Sequence, residues 1–373
     1  MQWAIQIALF LSFFLGWQLL TLVMASPQQY DTAFSELKRL GAKVTVDSRG
    51  PDQPGMEIDL RSTAATDQTL EHLHALPHVR TLKLDSTLIT DAGLESLTAV
   101  PSLHTLTLIR LPITDTGLAH LRHLTQIRTL NLGATQVSDD GLEHLKGLTR
   151  LRELYLYRTR ITGAGLKHLL DMTDLRLLNI GRNQLTDAGL QFLAGLSSLH
   201  TLFLRDSPIT DMGLQHIRGL TQLRFLEMGN TKVTDAAMQY LQGMSHLREL
   251  ELYGTRLTAV GMERLRGLHT LTNLDLEGVK ITDKGLAHLQ GLLNLQRLLL
   301  SGTRITDQGL VYLQGMTKLR TLSLKINDGI TDAGLKHLRG LSQLRVLGLQ
   351  QTSVSEAGVQ ELQKALPQVK ILR

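Results

Sequence analysis

Residues 295–318, LQRLLLSGTRITDQGLVYLQGMTK, decide the fold, because the same 24-residue frame recurs through most of the chain. Residues 199–222, LHTLFLRDSPITDMGLQHIRGLTQ, and residues 271–294, LTNLDLEGVKITDKGLAHLQGLLN, keep every apolar position of that frame. Successive units begin at residues 55, 79, 103, 127, 151, 175, 199, 223, 247, 271, 295, 319 and 344, which makes thirteen repeats. A repeat of this length indicates one stack of short units rather than the two or three domains that 373 residues would otherwise suggest.

Each repeat combines two periodicities. Leu at repeat positions 4 and 6 alternates with polar residues, which predicts a short strand with one buried face. Apolar residues at positions 16, 19 and 22, such as Leu310, Leu313 and Met316, predict one stripe of a helix. Thr at position 12 followed by Asp favours a helix start, as at Thr114, Thr186 and Thr210. Gly at position 21 is expected to take the left-handed conformation that ends a helix: Gly147, Gly195, Gly219, Gly243, Gly267, Gly291 and Gly315.

The two halves of the unit, LxxLxLxxT and ITDxGLxxLxxL, resemble the leucine-rich repeat, in the ITDxGL subclass found in bacterial repeat proteins and in F-box-associated repeat proteins. The resemblance covers residues 55–368. It implies an α/β fold, a leucine-rich repeat solenoid (horseshoe) of about 13 repeats with a concave parallel β-sheet and convex helices.

Two flanking segments close the array. Residues 26–54 are predicted to form an N-terminal cap, in which Ala33 to Val46 gives an amphipathic helix and then a strand. Residues 369–373 begin a terminal strand and stop. Such ends are expected because a terminal repeat cannot bury its leucines without a cover.

Residues 1–25 have a different composition. Met1 to Gln29 contains no Lys, Arg, Asp or Glu, and residues 3–24 are almost wholly apolar. Val23-Met24-Ala25 places small residues where a signal peptidase cleaves, which predicts a signal peptide ending at Ala25. The same apolar stretch is long enough to cross a bilayer about 30 Å thick, which predicts an uncleaved membrane anchor instead. Both interpretations place the repeats outside the cytoplasm, secreted or periplasmic in the first case and held at the membrane in the second.

The composition excludes several kinds of chemistry. Cys is absent, which removes disulfide scaffolds, thiolate nucleophiles and cysteine-ligated metals. The Asp of the Thr-Asp pair recurs in almost every unit and so serves every unit equally, and no nucleophile or nucleotide motif is present. A column at position 18 contains six His: His120, His144, His168, His216, His288 and His337. Because Ser, Phe, Tyr and Arg interrupt this column, a half-buried spacer is expected there rather than a zinc site. We therefore predict no enzymatic activity, no metal and no cofactor.

Basic residues form a second column, at repeat position 2: Arg80, Arg128, Arg152, Arg176, Arg224, Arg248, Arg320, Arg345 and Lys370. The net charge of +5 is a mild imbalance, and acids such as Glu249 on the neighbouring strand positions would repel a phosphate backbone. The column is therefore predicted to be a solvated rim that pairs with these acids, and no nucleic-acid partner is expected.

The variable positions 3, 5, 7 and 8 face outward from the strands, so they are where a partner would be recognised. In the middle of the array they contain five aromatic residues with two Arg and one Leu, beside an acidic half that also includes Glu249 and Asp275. Aromatic residues and Arg are enriched at binding hot spots. The predicted partner-binding residues are Tyr155, Tyr157, Leu177, Arg182, Phe203, Arg205, Phe225, Glu227, Glu251, Tyr253 and Glu277. The alternative is that the rings only cover the sheet by cross-strand packing.

These observations predict an extracytoplasmic scaffold that binds a protein or peptide on the concave face, with the partner's identity left open. The F-box resemblance implies an alternative, a substrate-recognition subunit of a ubiquitin ligase. Only about 25 residues separate the leader from the first repeat, too few for the F-box module of that family. A third alternative is a structural or adhesion protein of the cell surface, which would associate with itself.

Overall fold

The structure, a computed structural model, describes residues 26–47, 55–76 and 78–373. The chain divides into two compact units, Met1–Tyr155 (unit 1) and Leu156–Arg373 (unit 2). The predicted leader, residues 1–25, and the end of the predicted cap, residues 48–54, lie outside the described residues.

Unit 1 contributes six described strands: β1 Lys43–Asp47, β2 Gly55–Asp59, β3 Val79–Lys83, β4 Thr105–Thr107, β5 Thr129–Asn131 and β6 Glu153–Tyr155. Strands β2 to β6 are parallel, and each pairs with the strand of the next repeat, so that Leu82 lies opposite Leu106. Strand β1 is antiparallel to β2, with Lys43 opposite Asp59. This departs from the all-parallel sheet expected from the sequence, because the connection between β1 and β2 is too short for the crossover that a parallel pair requires.

Unit 2 contributes nine strands, all parallel: β7 Leu177–Asn179, β8 Thr201–Phe203, β9 Phe225–Glu227, β10 Glu249–Glu251, β11 Asn273–Asp275, β12 Arg297–Leu299, β13 Thr321–Ser323, β14 Val346–Gly348 and β15 Lys370–Leu372. Equivalent residues of neighbouring repeats face each other, as Leu226 with Leu250 and Leu250 with Leu274. Equivalent side chains therefore form columns that cross the sheet.

Short helices occupy the second half of each repeat. In unit 1 they are Asp67–Leu70, Glu71–Ala75, Ala92–Ala99, Asp115–Ala119 and Gly141–Leu145, and the longer helix Pro27–Arg39 precedes the first repeat. In unit 2 they are Ala164–Leu169, Asp187–Leu193, Asp211–Ile217, Asp235–Leu241, Ala259–Leu265, Asp283–Ala287, Gly309–Leu313, Asp332–Leu335, Lys336–Leu338 and Glu356–Ala365. About half are 3₁₀-helices, which fits the few residues available, because 3₁₀ geometry is used in short pieces. The Thr hydroxyls of Thr114, Thr186 and Thr210 accept from helix N–H groups, which confirms the predicted start signal.

The leucines of the repeat form the core. The repeat at residues 295–318 has completely buried side chains at Leu298, Leu300, Leu310 and Leu313. Burial of one such side chain contributes about 2 kcal/mol. Because each repeat covers the leucines of its neighbours, stability comes from stacking, as the sequence period predicts.

In each repeat the residue at position 8, three residues after the strand ends, has a left-handed backbone. These residues are Ser62, Ser86, Arg110, Ala134, Arg158, Arg182, Asp206, Asn230, Gly254, Gly278, Gly302, Ile326 and Gln351. The prediction that Gly at position 21 would be left-handed is wrong, since none of those seven glycines has a positive φ. The left-handed turn is needed at position 8 instead, where the backbone hydrogen-bond ladder between neighbouring repeats continues. At φ 53°, Arg182 donates its backbone N–H to the carbonyl of Arg205 in the next repeat at 2.8 Å, so the chain turns without breaking the ladder.

None of the helices within the described ranges is both long enough and apolar enough to cross a membrane.

Candidate functional site

The outward side of the unit 2 sheet, formed by side chains at repeat positions 3, 5 and 7, is here called the open face. Strand alternation creates it: Leu226 at position 4 is completely buried, whereas Phe225 at position 3 is partly exposed. Most of the predicted binding residues lie on it: Tyr157, Leu177, Phe203, Arg205, Phe225, Glu227, Glu251, Tyr253 and Glu277, with Arg182 beside them at position 8.

Two phenylalanines form the apolar centre of the open face. Phe203 on β8 and Phe225 on β9 have ring centroids 4.8 Å apart at an interplanar angle of 44°. The register explains the contact, because Phe203 lies opposite Glu227 and therefore diagonal to Phe225. Both rings are half-buried, so their outer surfaces are available to a partner.

Tyr157, on the open face, lies beneath two arginines. The guanidinium carbons of Arg205 and Arg182 lie 5.1 Å and 5.7 Å from its ring centroid. Both distances are within the range of a cation–π interaction. Tyr157 is therefore held by unit 2 itself, and its ring is less available to a partner than the two Phe rings.

Asp206 fixes the two arginines. Its Oδ2 accepts from Arg182 Nε at 3.0 Å and lies 4.0 Å from Arg205 Nε, while its Oδ1 accepts from Asn230 Nδ2 at 2.9 Å. Burial opposes the ionisation of Asp206, but the hydrogen bonds from Asn230 and Arg182 outweigh it and lower its pKa. Asp206 is not among the binding residues predicted from the sequence, although it stands at position 8 one repeat from Arg182, and that spacing was the available signal.

Glu227 links the aromatic half to the acidic half. It is only 4% exposed, accepts from Tyr253 Oη at 3.1 Å, and has Arg205 Nη1 at 3.5 Å from its Oε1. Burial nevertheless raises the pKa of Glu227. Burial and the charge of Glu227 also raise the pKa of Tyr253 to about 12, so the phenol keeps the proton that it donates.

The acidic half continues across β10 and β11. Burial is the main cause of the raised pKa of Glu251, and the charge of the adjacent Glu227 raises it further. Burial also raises the pKa of Asp275 to about 6, with further contributions from Glu277 and Glu251. Arg297 is the cation that counteracts both shifts. These carboxyls are thus crowded together, and a cation supplied from outside would stabilise their ionised forms.

Small residues shape the surface around the acids. Gly229 lies beneath Tyr253, where a Cβ atom would approach the phenol ring to 2.1 Å. Glu277 accepts from Ser301 Oγ at 2.5 Å, and Ser301 is itself 2.7 Å from Ser323 Oγ. The side chains next to Glu277 are therefore short, whereas Asp275 lies opposite the longer side chain of Leu299 on β12.

Two further predicted residues are Tyr155 and Leu177. Tyr155 is the last residue of β6 in unit 1, where its Oη is 3.3 Å from Glu153 Oε2 and its pKa is raised to about 12, mainly by burial. Leu177 is half-buried on β7, opposite Thr201.

The position 2 column does not form the predicted pairs with the acids. Among the described residues, the ion pairs of the open face involve Arg182 and Arg205 at positions 8 and 7, and none involves an Arg at position 2. The position 2 arginines of unit 2 are exposed just before their strands, where they do not reach the acids.

The His column is half-buried at each of its six positions. Within the described ranges, no three His, Asp or Glu side chains are grouped closely enough to hold a metal ion.

Repeated strand, turn and short helix units, with leucines buried between them and a variable face outside, define a leucine-rich repeat fold. The sequence model described as "Leucine Rich repeat" matches residues 171–194 and 315–338, which are two stretches of one repeat length in the same phase. The predicted fold class is confirmed. The ITDxGL subclass stays a prediction.

Two solved structures extend this comparison. An internalin (inlF) from Listeria monocytogenes is 21% identical, with 92% of this chain and 93% of that chain covered at a TM-score of 0.69. A leucine-rich repeat protein of Leptospira interrogans is 18% identical, with 81% of this chain and 74% of that chain covered at a TM-score of 0.53. At these identities the likeness concerns the fold alone. A search of curated proteins finds no match.

Proposed function

We propose that this protein is a non-enzymatic interaction scaffold that works outside the cytoplasm and binds a protein or peptide through the open face of unit 2. The observation that carries the proposal is the Phe203–Phe225 pair, whose rings lie 4.8 Å apart and are half-exposed beside a crowded group of carboxyls. An exposed apolar pair reduces solubility unless a partner covers it.

The charges favour a partner with a basic segment. Glu251 and Asp275 have raised pKa values because they are partly buried beside other acids. A Lys or Arg side chain placed over them would relieve that repulsion. The partner is therefore expected to present an apolar side chain to the two Phe rings and a basic side chain toward β10 and β11.

The test is binding by a variant that combines Phe203→Ser with Phe225→Ser. The matched control combines Met212→Ser with Val260→Ser, which removes two apolar side chains that are 63% and 57% exposed on helices of the same unit. The partner is captured by the mature protein, identified by mass spectrometry, purified and titrated against each variant.

We expect the Phe variant to lose at least tenfold in affinity while its circular dichroism spectrum stays unchanged, and the control to bind as the wild type does. Equal affinity for both variants contradicts the proposed site. Capture of the chain's own copies alone contradicts the scaffold function and favours the structural alternative.

The location has a separate support, the segment from Met1 to Gln29, which contains no Lys, Arg, Asp or Glu. Mass spectrometry of the protein recovered from fractionated cells tests it. Recovery of the protein in the soluble cytoplasmic fraction contradicts the proposal, whether or not residues 1–25 are still attached.

A further inference from the structure

A second charged surface runs along the edge of unit 2, past the ends of the strands. Repeat position 10 contains a cation in four consecutive repeats: Lys232, Arg256, Lys280 and Arg304. All four are exposed, and among the described residues no carboxylate lies within ion-pair distance of any of them. We call these four residues the cationic edge.

The backbone holds the cationic edge in a fixed row. Lys232 donates its backbone N–H to Ile209 O at 2.9 Å, and Arg304 donates to Ile281 O at 2.9 Å. Parallel bridges join Thr234 to Arg256 and Thr282 to Arg304. Neighbouring repeats are spaced by about 4.8 Å, so the row extends over roughly 15 Å.

Position 9 anchors the row from below. Thr231, Thr255 and Thr303 are buried, and each donates its hydroxyl to a carbonyl at the end of its own strand, at 2.6–2.9 Å. The cations therefore stand on a backbone that is already ordered, which reduces the entropy lost when a ligand binds.

The acids at position 13 of these repeats bond to the following repeat. Asp235, Asp283 and Asp307 each accept two hydrogen bonds from the Thr of the following repeat, at 2.5–2.8 Å. In the repeat that contains Arg256, the corresponding position is Ala259, so the acid is missing at the middle of the row. Lys284, also exposed, adds a fifth positive charge next to Asp283.

A linear anionic polymer fits a regular row of exposed cations. The columns beside the row contain Asn230, Gly254, Gly278 and Gly302 at position 8 and Ala236, Val260, Lys284 and Gln308 at position 14. They offer no aromatic ring on which nucleic-acid bases could stack. The left-handed glycines leave the surface open beside the cations, with nothing nearer than 3.8 Å to a Cβ built at Gly278 or Gly302.

We propose that the cationic edge binds a linear anionic polysaccharide. This surface differs from the open face, and the proposal does not depend on the function proposed above.

The test uses heparin as the probe, with isothermal titration at several NaCl concentrations. One variant combines Lys232→Ser, Arg256→Ser, Lys280→Ser and Arg304→Ser. The matched control combines Arg176→Ser, Arg224→Ser, Arg248→Ser and Arg320→Ser, which removes the same charge from exposed residues at position 2 of unit 2. Circular dichroism checks that both variants fold.

We expect the edge variant to lose at least tenfold in affinity. The slope of log affinity against log salt concentration should become less steep by about three to four, close to one for each lost contact. The control should lose less than threefold. Equal losses in the two variants overturn the proposal, because net charge alone would then explain binding. Absence of heparin binding by the wild type overturns it, and so does tighter binding of single-stranded DNA than of heparin at equal salt.

Discussion

The carboxylate of Asp283 holds Thr306 of the next repeat through two hydrogen bonds, from the backbone N–H at 2.8 Å and from the hydroxyl at 2.7 Å. Among the described residues, the same clamp joins Asp67 with Thr90, Asp91 with Thr114, Asp115 with Ser138, Asp187 with Thr210, Asp211 with Thr234, Asp235 with Thr258, Asp307 with Thr331 and Asp332 with Ser355. The Asp of each Thr-Asp pair therefore ties one repeat to the next, in addition to any effect on the helix dipole.

The first prediction concerns this clamp. Asp283→Ala removes two hydrogen bonds to a charged acceptor, so we expect the free energy of unfolding to fall by about 2 kcal/mol. Urea unfolding of the full chain measures it. Asp328→Ala, which removes an exposed carboxylate from a turn, is the control and should change stability by less than about 0.5 kcal/mol. Equal effects of the two variants would contradict the clamp.

The second prediction concerns the glycine that faces each clamp. A Cβ atom at Gly309 would lie 2.2 Å from Asp283 Oδ1, whereas at Gly285 the nearest atom is Ile281 Cβ at 3.3 Å, because Ala259 replaces the Asp. We expect Gly309→Ala to cost about 1–3 kcal/mol and Gly285→Ala much less. In the Asp283→Ala background, Gly309→Ala should become nearly as mild as Gly285→Ala. A double-mutant cycle by urea unfolding measures this coupling, and additive effects would refute it.

The third prediction concerns the left-handed column. Ile326 has φ 57° and is 58% exposed, so a β-branched residue is held in a conformation that disfavours it without compensating burial. Ile326→Gly should raise the unfolding free energy by roughly 0.5–1 kcal/mol, after the larger entropy of glycine in the unfolded chain is subtracted. Gly302→Ala, at φ 65°, should lower it by about 1 kcal/mol. Thermal unfolding compares the two, and a loss of stability in Ile326→Gly would show that the strain is absent.

The fourth prediction concerns pH. The pKa of Asp275 rises from 3.8 to about 6 on folding, so between these values the folded chain holds more protons than the unfolded chain and stability falls as pH rises. Asp275→Asn removes this loss. We expect it to be neutral near pH 4 and to stabilise by about 1 kcal/mol at pH 8, less than the full shift would give because the side chain is partly solvated.

Asp206→Asn provides the comparison of opposite sign. The pKa of Asp206 is lowered in the folded state, so its contribution is present at neutral pH and is lost as pH falls below its ordinary value. This variant should destabilise at pH 7 and less so near pH 3. Urea unfolding from pH 3 to pH 8 tests both variants, and changes of the same sign at pH 7 would contradict the assignment of either group.

Local patterns predicted much of the fold. Leu at positions 4 and 6, as in Leu298 and Leu300, predicted strands with one buried face, and Thr210 predicted a helix start. These features depend on the spacing of residues within one repeat, which a sequence displays directly. The position of the left-handed residue was not visible in this way, because Arg182, Ala134 and Ile326 are residue types that rarely take a positive φ.

Asn327 illustrates a different limit. Asn327, Asp328 and Gly329 are residue types that favour a turn with a positive φ, but Asn327 is 2% exposed and donates to the carbonyls of Leu300 and Leu324 at 2.8 and 3.0 Å. The positive φ belongs to Ile326 instead. Asn183 makes the equivalent bonds to Leu156 and Ile180. Both amides span two repeats, and a contact between repeats is not encoded in the spacing within either one.

The sequence by itself determined the repeat, its strands and short helices, and the columns that face away from the leucines, because these follow from hydrophobic spacing. Only the tertiary structure decided which charges meet. It placed Arg205 against Glu227 and Tyr157, left the position 2 arginines without the expected acids, and brought the Asp of one repeat onto the Thr of the next. The physical reason is distance: ion pairs and hydrogen bonds act over a few ångströms, and which side chains come that close depends on how neighbouring repeats stack.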